Sequence, residues 1–400
     1  MKTTAIIPAR GGSKGIPKKN LLNLCGYPLI SYAIRASTRS AYISRTIVST
    51  DDDEISSIAI KYGAEVITRP ADISGDESSS ESALLHVLQT LTDHGETVPD
   101  IIVFLQCTSP LTQPEDIDAA IDELISNDAD SCLSVTPSHS FLWRIKQENQ
   151  ADGINHDPGY RPRRQEMEPQ YRENGAIYVM RTEGFMKTGH RFFGKTVLSV
   201  MPPERSWEID EPFDVLVIEQ LLNQQNLDQL ISKISFPIGA IIFDFDGVFT
   251  DNMVYVNQDG SETVRCHRGD GMGIERLKKL NIPMIVVSKE KNPVVSARCK
   301  KLGLECFHAI EKKEVFIEQW MEEKGINPYD VIYVGNDLND LASMKMVGCP
   351  VAVGDAIPEV KRIAKIVLTR NGGKGAIREL SDLICKKGMS KDNPWISNNI

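Results

Sequence analysis

The chain has 400 residues, of which 41% are hydrophobic and 25% charged, and it carries a net charge of −10 at pH 7. That length predicts two domains. The acidic balance argues against a duplex nucleic-acid partner, which would favour a basic face, though it leaves room for a small anion bound by a local basic loop. No apolar run approaches the roughly 20 residues of a membrane helix, and MKTTAIIPARGG at the amino end is too short in its apolar part and too soon charged for a signal peptide. The eight cysteines (25, 107, 132, 266, 299, 306, 349 and 385) are scattered without a CxxC pair. That pattern predicts free thiols in a reducing cytoplasm.

In chain order, TTAIIPA, RTIVST, AEVIT, IIVFLQ and SCLSV read as short buried strands. LISYAIRAS, EISSIAIKYG and SALLHVLQTL between them carry helical periodicity. Strand and helix in alternation predict an α/β fold with a mostly parallel sheet flanked by helices. Pro, Gly, Arg and Gln cluster between about 137 and 175, a loop long enough to be functional. GAIYVM and KTVLSVM restore regular structure, and the helix DEPFDVLVIEQLLNQQNLDQLISKI closes the unit. A second alternation starts after Pro237, with strands GAIIFD, IPMIVVS, DVIYVG and PVAVG. The expected domains are therefore 1–234 and 238–390. MVYVNQDGSETVRCH contains two strand-like runs around Asp259-Gly260, a hairpin signal.

The first group of chemical residues is IPARGGSKGIPKKN, from Ile7 to Asn20. Its glycines allow backbone N–H groups to approach phosphate oxygens, and Arg10, Lys14 and Lys19 add positive charge. The string is neither a Walker A loop nor GxGxxG. Together with STDD (49–52), RPADIS (69–74), LQCTSPL (105–111), YRENGAIY (171–178) and WEIDEPFD (207–214), it resembles the N-acylneuraminate cytidylyltransferases, also called CMP-sialic acid synthetases. The resemblance runs over nearly all of residues 1–230. It implies a Rossmann-like nucleotidyltransferase fold that transfers CMP from CTP to a nonulosonic acid.

The same resemblance implies the site. Arg10, Gly11, Gly12, Ser13, Lys14, Lys19 and Asn20 would hold the CTP phosphates, and Arg69 and Ser80 would contact the nucleotide. Lys19 and Gln106 would stand at the reacting centre. Arg164, Arg172, Tyr178, Phe192 and Phe193 would shape the sugar pocket with Gln106. Glu208 and Asp210 alternate, so on an extended segment they face one way. They would hold Mg²⁺ that neutralises charge growing on the α-phosphate. Two departures stand out: Glu208 replaces the usual aspartate, and Thr112 replaces the arginine of TSPLR.

The second group begins with IIFDFDGVFTD. Asp244 and Asp246 lie two apart on a strand end, so both carboxylates meet on one side. One is suited to attack phosphorus and the other to handle a proton. Ser288, Lys313 and GNDLND (335–340) supply a phosphoryl-binding hydroxyl, a neutralising cation and an acidic metal site. This half, with RGDGMGI (268–274) and NGGKGAIRELSDLI (371–384), resembles the haloacid dehalogenase superfamily, in the branch of 3-deoxy-D-manno-octulosonate 8-phosphate phosphatase. The resemblance implies a small β-hairpin cap, a Mg²⁺ site and a homotetramer built through this domain. It implies metal ligation by Asp244, Asp246, Asn336, Asp337 and Asp340, with Asn336 where many relatives have aspartate. It also implies that Lys374 and Arg378 of the glycine-rich tail reach a neighbouring site and bind a sugar-acid carboxylate.

These readings make CTP, a nonulosonic acid and its 9-phosphate the expected partners. The alternatives are a catalytically silent tetramerisation module in the second domain, a nucleotide-sugar sensor, and KDN or legionaminate as the sugar. Discrimination among the sugars is expected to lie in the 137–175 loop.

Overall fold

The computed structural model describes residues 1–12, 15–75 and 78–388, with residue 164 described for its backbone only. Two compact units divide between Gln224 and Gln225. The cut falls earlier than the boundary expected from Pro237, inside a helix that was expected to close the first unit. Ile218 and Leu222 of that helix are buried with Leu24, Leu29, Leu111 and Ile209 in the first unit. Leu227, Leu230 and Ile231 pack instead against the core of the second.

The first unit runs β1 (Thr3–Pro8), β2 (Asn23–Leu24), β3 (Tyr27–Pro28), α1 (Leu29–Arg39), β4 (Arg45–Thr50), α2 (Asp53–Lys61), β5 (Glu65–Thr68) and α3 (Ser80–Asp93). It continues with β6 (Ile101–Leu105), α4 (Pro114–Ser126), β7 (Ser131–Ser138), β8 (Trp143–Ile145), β9 (Ala151–Gly153), β10 (Gln170–Arg181), α5 (Thr182–Thr188), β11 (Thr196–Val200) and α6 (Pro212–Ser232). Seven strands form one sheet in the order β11-β7-β10-β6-β1-β4-β5. Strands β1, β4, β5 and β6 are mutually parallel, as are β7 and β11. β10 runs antiparallel to both β6 and β7. The apolar runs of β1 and β6 are buried on both faces, which explains why they read as continuous rather than alternating.

β10's reversed direction matters for the site. Ile177 pairs with Leu105 at the carboxyl end of β6, so Arg172 to Gly175 project past that end. The residues before the pairing therefore arrive where open α/β sheets bind ligands.

The second unit contains β12 (Ala240–Phe243), β13 (Thr250–Val256), β14 (Glu262–Cys266), α7 (Arg268–Lys278), β15 (Met284–Val287), α8 (Val294–Leu302), β16 (Glu305–Phe307) and α9 (Lys313–Lys324). After these come β17 (Val331–Gly335), α10 (Leu341–Met346), β18 (Cys349–Ala352), α11 (Pro358–Ile363), β19 (Ile366–Val367) and α12 (Ala376–Gly388). Six parallel strands take the order β16-β15-β12-β17-β18-β19. β13 and β14 form the expected hairpin, turning at Asn257–Ser261, where Gly260 adopts φ 79°. No described helix is long and apolar enough to cross a membrane.

Candidate active sites

In the first unit a cavity of about 280 Å³ opens at the carboxyl ends of β1 and β6. Arg10, Lys19, Asn20, Arg69, Ser78, Ser79, Ser80, Phe104, Gln106, Cys107 and Thr108 are among its lining residues. It thus gathers six of the expected residues: Arg10, Lys19, Asn20, Arg69, Ser80 and Gln106. Arg69 is 6% exposed and donates to the Ser49 carbonyl at 2.6 Å and the Ser49 hydroxyl at 3.2 Å. Burial pulls the Arg69 guanidinium below its ordinary value; Asp51 opposes the shift and Arg10's like charge adds to it. A buried cation beside another one suits an anionic ligand. Ser80 opens α3, whose N-terminus is capped by Ser79 accepting from the Ser82 N–H. Anions are favoured at such an end.

Lys19 ties the loop to the distant acidic segment. Its Nζ donates to the Ile209 carbonyl at 2.8 Å and lies 3.5 Å from Asp210 Oδ1. Asn20 donates to the Arg10 carbonyl at 3.0 Å, which holds the loop's two ends together. Gly11 departs from its expected role: its N–H donates to Asp51 Oδ1 at 3.0 Å rather than standing free for phosphate. Asp52 of the same STDD string caps α2, accepting from the Glu54 and Ile55 amides. Gly12 is exposed. Ser13, Lys14 and the Arg164 side chain lie outside the described residues.

Glu208 rests on Gly175. A Cβ on that glycine would lie 1.5 Å from Glu208 Oε1 and 3.3 Å from Gln106 Oε1, so the carboxylate and the Gln106 amide share one spot. Burial pushes the Glu208 carboxyl up to about 7; Asp210 adds to the effect and Arg172 opposes it. Because the folded value exceeds the unfolded one, the proton stabilises the fold at acid pH. That contribution is lost as pH rises from about 4.5 through about 7. In metal-free buffer, Glu208→Gln should therefore gain melting temperature on the wild type between about pH 5 and pH 8. The gain is about 2–4 °C for each kcal/mol, discounted for partial exposure. A difference that stays flat with pH would refute the assignment.

The expected aromatic pair divides. Phe193 packs on α5, where a Cβ at Gly184 would meet its ring at 2.1 Å, and it joins the core around Phe104 and Tyr178. Only Phe192 stays open, with its ring 6.1 Å from that of Tyr178. Tyr178 itself is 3% exposed, stacks on Phe104 at 5.3 Å and donates to Glu173. Sequence reasoning missed Arg191. Its guanidinium covers both the Tyr178 and Phe104 rings at 4.6 and 5.1 Å and pairs with Glu81 at 2.6 Å. Arg172 is exposed and is not among the residues lining this cavity.

In the second unit a cavity of about 340 Å³ lies over the carboxyl ends of β12, β15 and β17, lined by residues that include Asp244, Asp246, Asn252, Ser288, Glu290, Asn336 and Asp337. Lys313, the first residue of α9, is fully buried with Nζ 2.6 Å from Asp244 Oδ1 and 2.9 Å from Asp340 Oδ1. Burial opposes its charge, but the two carboxylates prevail and hold Lys313 above its ordinary value. Burial and Asp340 push Asp244 up while the ammonium pulls it down. The net direction for Asp244 is upward, because the ammonium at 2.6 Å offsets only part of that push. Asp246 is raised by burial and by Glu290, which suits a proton carrier. Ser288 is 1% exposed, and its hydroxyl accepts from the Glu290 N–H at 3.0 Å.

Asp340, expected as a metal ligand, has both carboxylate oxygens engaged by protein donors. Oδ1 accepts from Lys313 and from the Tyr333 hydroxyl at 2.7 Å, and Oδ2 accepts from the amides of Asn336 and Asp337 at 2.9 and 3.3 Å. Fully buried and saturated, it anchors Lys313 and the 335–340 turn. Asp337 caps that turn by accepting from the Leu338 N–H at 2.7 Å. Asn336 Oδ1, by contrast, is buried without a hydrogen-bond partner. An orphaned buried oxygen at the cavity floor, beside Asp244 and Asp246, fits a hard cation. Among the described residues no cluster of three or more His, Cys, Asp or Glu side chains is gathered for a metal. A cation here would thus need the Asn336 amide, water or phosphate oxygens to complete its shell.

The glycines of the tail pack against the turn after Asp246. Gly373 N–H donates to the Val248 carbonyl at 3.0 Å, and a Cβ on Gly372 would meet the Gly247 carbonyl at 1.8 Å. The tail glycines thus brace the turn after Asp246 within their own chain. Arg378 is spent on Asp382 at 3.0 Å, while Lys374 is exposed and does not line the cavity.

The cytidylyltransferase family profile matches residues 4–230, and that of the haloacid dehalogenase-like hydrolases matches 287–380. N-acylneuraminate cytidylyltransferase A of Danio rerio is 31% identical over 97% of this chain and 90% of its own. The enzyme of that name from Escherichia coli O18:K1:H7 is 32% identical over 62% of this chain and 59% of its own. A solved 3-deoxy-D-manno-octulosonate 8-phosphate phosphatase from Moraxella catarrhalis, in complex with magnesium, phosphate and KDO, overlaps 40% of this chain and 92% of its own, at 26% identity and TM-score 0.39. With its profile match over residues 4–230 and a relative 31% identical along nearly its whole length, the chain belongs to the N-acylneuraminate cytidylyltransferase family and carries a haloacid dehalogenase-like unit behind that domain.

Proposed function

We propose that the first unit transfers CMP from CTP to a nonulosonic acid, and that the second hydrolyses a phosphate ester of such a sugar acid, a 9-phosphate in the simplest case. The observation that carries the first half is the single cavity that brings Arg10, Lys19, Asn20, Arg69, Ser80 and Gln106 together. The anomeric hydroxyl attacks the α-phosphorus and loses its proton to solvent water, the bond from that phosphorus to the bridging oxygen breaks, and pyrophosphate leaves. Arg10, Lys19 and Arg69 bind the phosphates, and Gln106 and Arg172 orient the sugar. Glu208 and Asp210 are the residues that would hold Mg²⁺, which when bound offsets the charge growing on phosphate oxygens. A desolvated carboxylate beside a second one fits that need.

In the second unit Asp244 attacks phosphorus, the bond from phosphorus to the sugar oxygen breaks, and Asp246 gives its proton to that departing oxygen, which leaves as the hydroxyl. Asp246 then takes a proton from the water that cleaves the aspartyl phosphate, and Asp244 is restored. Lys313 and Ser288 hold the phosphoryl group. Asp244, Asp246, Asn336 and Asp337 are the residues that would hold Mg²⁺ there. The exposed hairpin residues Met253, Val254, Tyr255 and Val256 support assembly through this unit, for which we propose a homotetramer acting in the cytoplasm.

Incubating the full chain with CTP, Mg²⁺ and a panel of free and 9-phosphorylated nonulosonic acids tests both halves. Pyrophosphate should appear with at least one free acid, and inorganic phosphate with at least one phosphorylated acid. Pyrophosphate without phosphate on any ester would leave the second unit as a silent assembly module. Absence of both would sink the whole reading.

A further inference from the structure

A bulge interrupts β10 between Glu173 and Tyr178, where its register against β7 shifts. Asn174 sits in that bulge, 3% exposed, and both ends of its amide are engaged. Oδ1 accepts from the Ser134 hydroxyl at 2.6 Å and from the Ala176 N–H at 3.3 Å. Nδ2 donates to Ser206 Oγ at 3.0 Å and lies 3.3 Å from the Met201 sulfur. Both serines pass the connection on. Ser134 Oγ accepts from the Ile177 N–H at 2.9 Å, and the Ser206 hydroxyl donates to the Pro202 carbonyl at 3.0 Å.

One buried amide thus joins three segments: β7, the bulge of β10, and the turn that leads into Glu208. Site residues flank it on both sides. Arg172 and Glu173 precede it on the strand, Gly175 beside it carries the Glu208 carboxylate, and Lys19 reaches the far end of the acidic segment at Ile209. A bulge that needed only saturation could take water or backbone partners. Here its donor is spent on the acidic segment, so the spacing of the two walls depends on this side chain.

We propose that Asn174 is a positioning residue for cytidylyl transfer, whose amide sets the acidic segment against the sugar strand. The proposal rests on cytidylyl transfer by the first unit, which wild-type turnover in the same assay checks separately. The test is pyrophosphate release by the full chain, with CTP and the sugar acid varied independently. Asn174→Ala should lower kcat about tenfold to a hundredfold, the range seen when partners behind catalytic ligands are removed. KM for CTP should stay at the wild-type value, because Arg10, Asn20, Arg69 and Ser80 have no bond to this amide. Ser206→Ala removes the link to the acidic side, along with that turn's own bond to Pro202, but keeps the Ser134 link, and should lower kcat in the same way but less. Asn174→Asp keeps the acceptor for Ser134 and Ala176 and loses the donor, so it should follow Ser206→Ala. The proposal is overturned if Asn174→Ala lowers melting temperature but leaves kcat per folded molecule unchanged, or if KM for CTP rises in step with kcat loss. Should Asn174→Ala fail to fold, Ser206→Ala decides alone: an unchanged kcat refutes the assignment.

Discussion

Asp244→Asn should reduce phosphate release from a nonulosonate phosphate by about four orders of magnitude or more, the scale of losing a covalent nucleophile. The substitution is nearly isosteric. The asparagine oxygen can still accept from the Phe245 N–H and from Lys313, which bond Asp244 Oδ1 at 2.7 and 2.6 Å. Lys313 also keeps Asp340 at 2.9 Å, so its buried charge is not left alone. The fold should survive, and the chemistry should not. Cytidylyl transfer should proceed at the wild-type rate, since Asp244 belongs to the other compact unit. Residual phosphate release within tenfold of wild type would show that Asp244 is not the nucleophile. A parallel loss of pyrophosphate release would show that the variant had disturbed the whole chain.

The contrast between Asp244 and Asp340 marks what a sequence can and cannot convey. Asp244 and Asp246 follow a strand end two positions apart, and with Ser288, Lys313 and GNDLND they were legible as a group; both line one cavity. Asp340 carried the same charge in a separate acidic string, GNDLND, and was read as a metal ligand. Its role depends on Lys313 and Tyr333, which reach it from separate elements and fill its oxygens. Saturation is a tertiary property, and no local pattern encodes it. The orphaned oxygen of Asn336 is the mirror case: a substitution that looked like a weakened ligand turns out to be a buried side-chain oxygen of this site left open.

The first unit shows the same division. Alternating strand and helix patterns predicted its layers, but not that β10 would enter the sheet antiparallel. That reversal brings Arg172 and Gly175 to the catalytic edge. Lys19 was expected among phosphate ligands; its bond to Ile209 spans 190 positions, beyond any periodicity argument. Arg191 was hidden because an arginine ahead of two phenylalanines looks like ordinary surface until Glu81, Phe104 and Tyr178 close around it.

Gly175→Ala should cost cytidylyl transfer about a hundredfold or more, the scale of misplacing a reacting group by about 1 Å. Gly175 holds φ 66°, and the added Cβ would fall 1.5 Å from Glu208 Oε1. The colliding atom is the end of a flexible side chain, so the relief is to swing Glu208 aside rather than to unfold the strand. Stability should drop only by the left-handed penalty, about 1–2 kcal/mol. Activity should suffer far more, because the carboxylate that moves is half of the acidic pair. A double-mutant cycle with Glu208→Ala separates these effects. If Gly175 acts through Glu208, adding Gly175→Ala to Glu208→Ala should cost almost nothing further, a strong departure from additivity. Additive losses would mean that the glycine serves the strand itself, and that the contact between Gly175 and Glu208 has no part in placing the acidic pair.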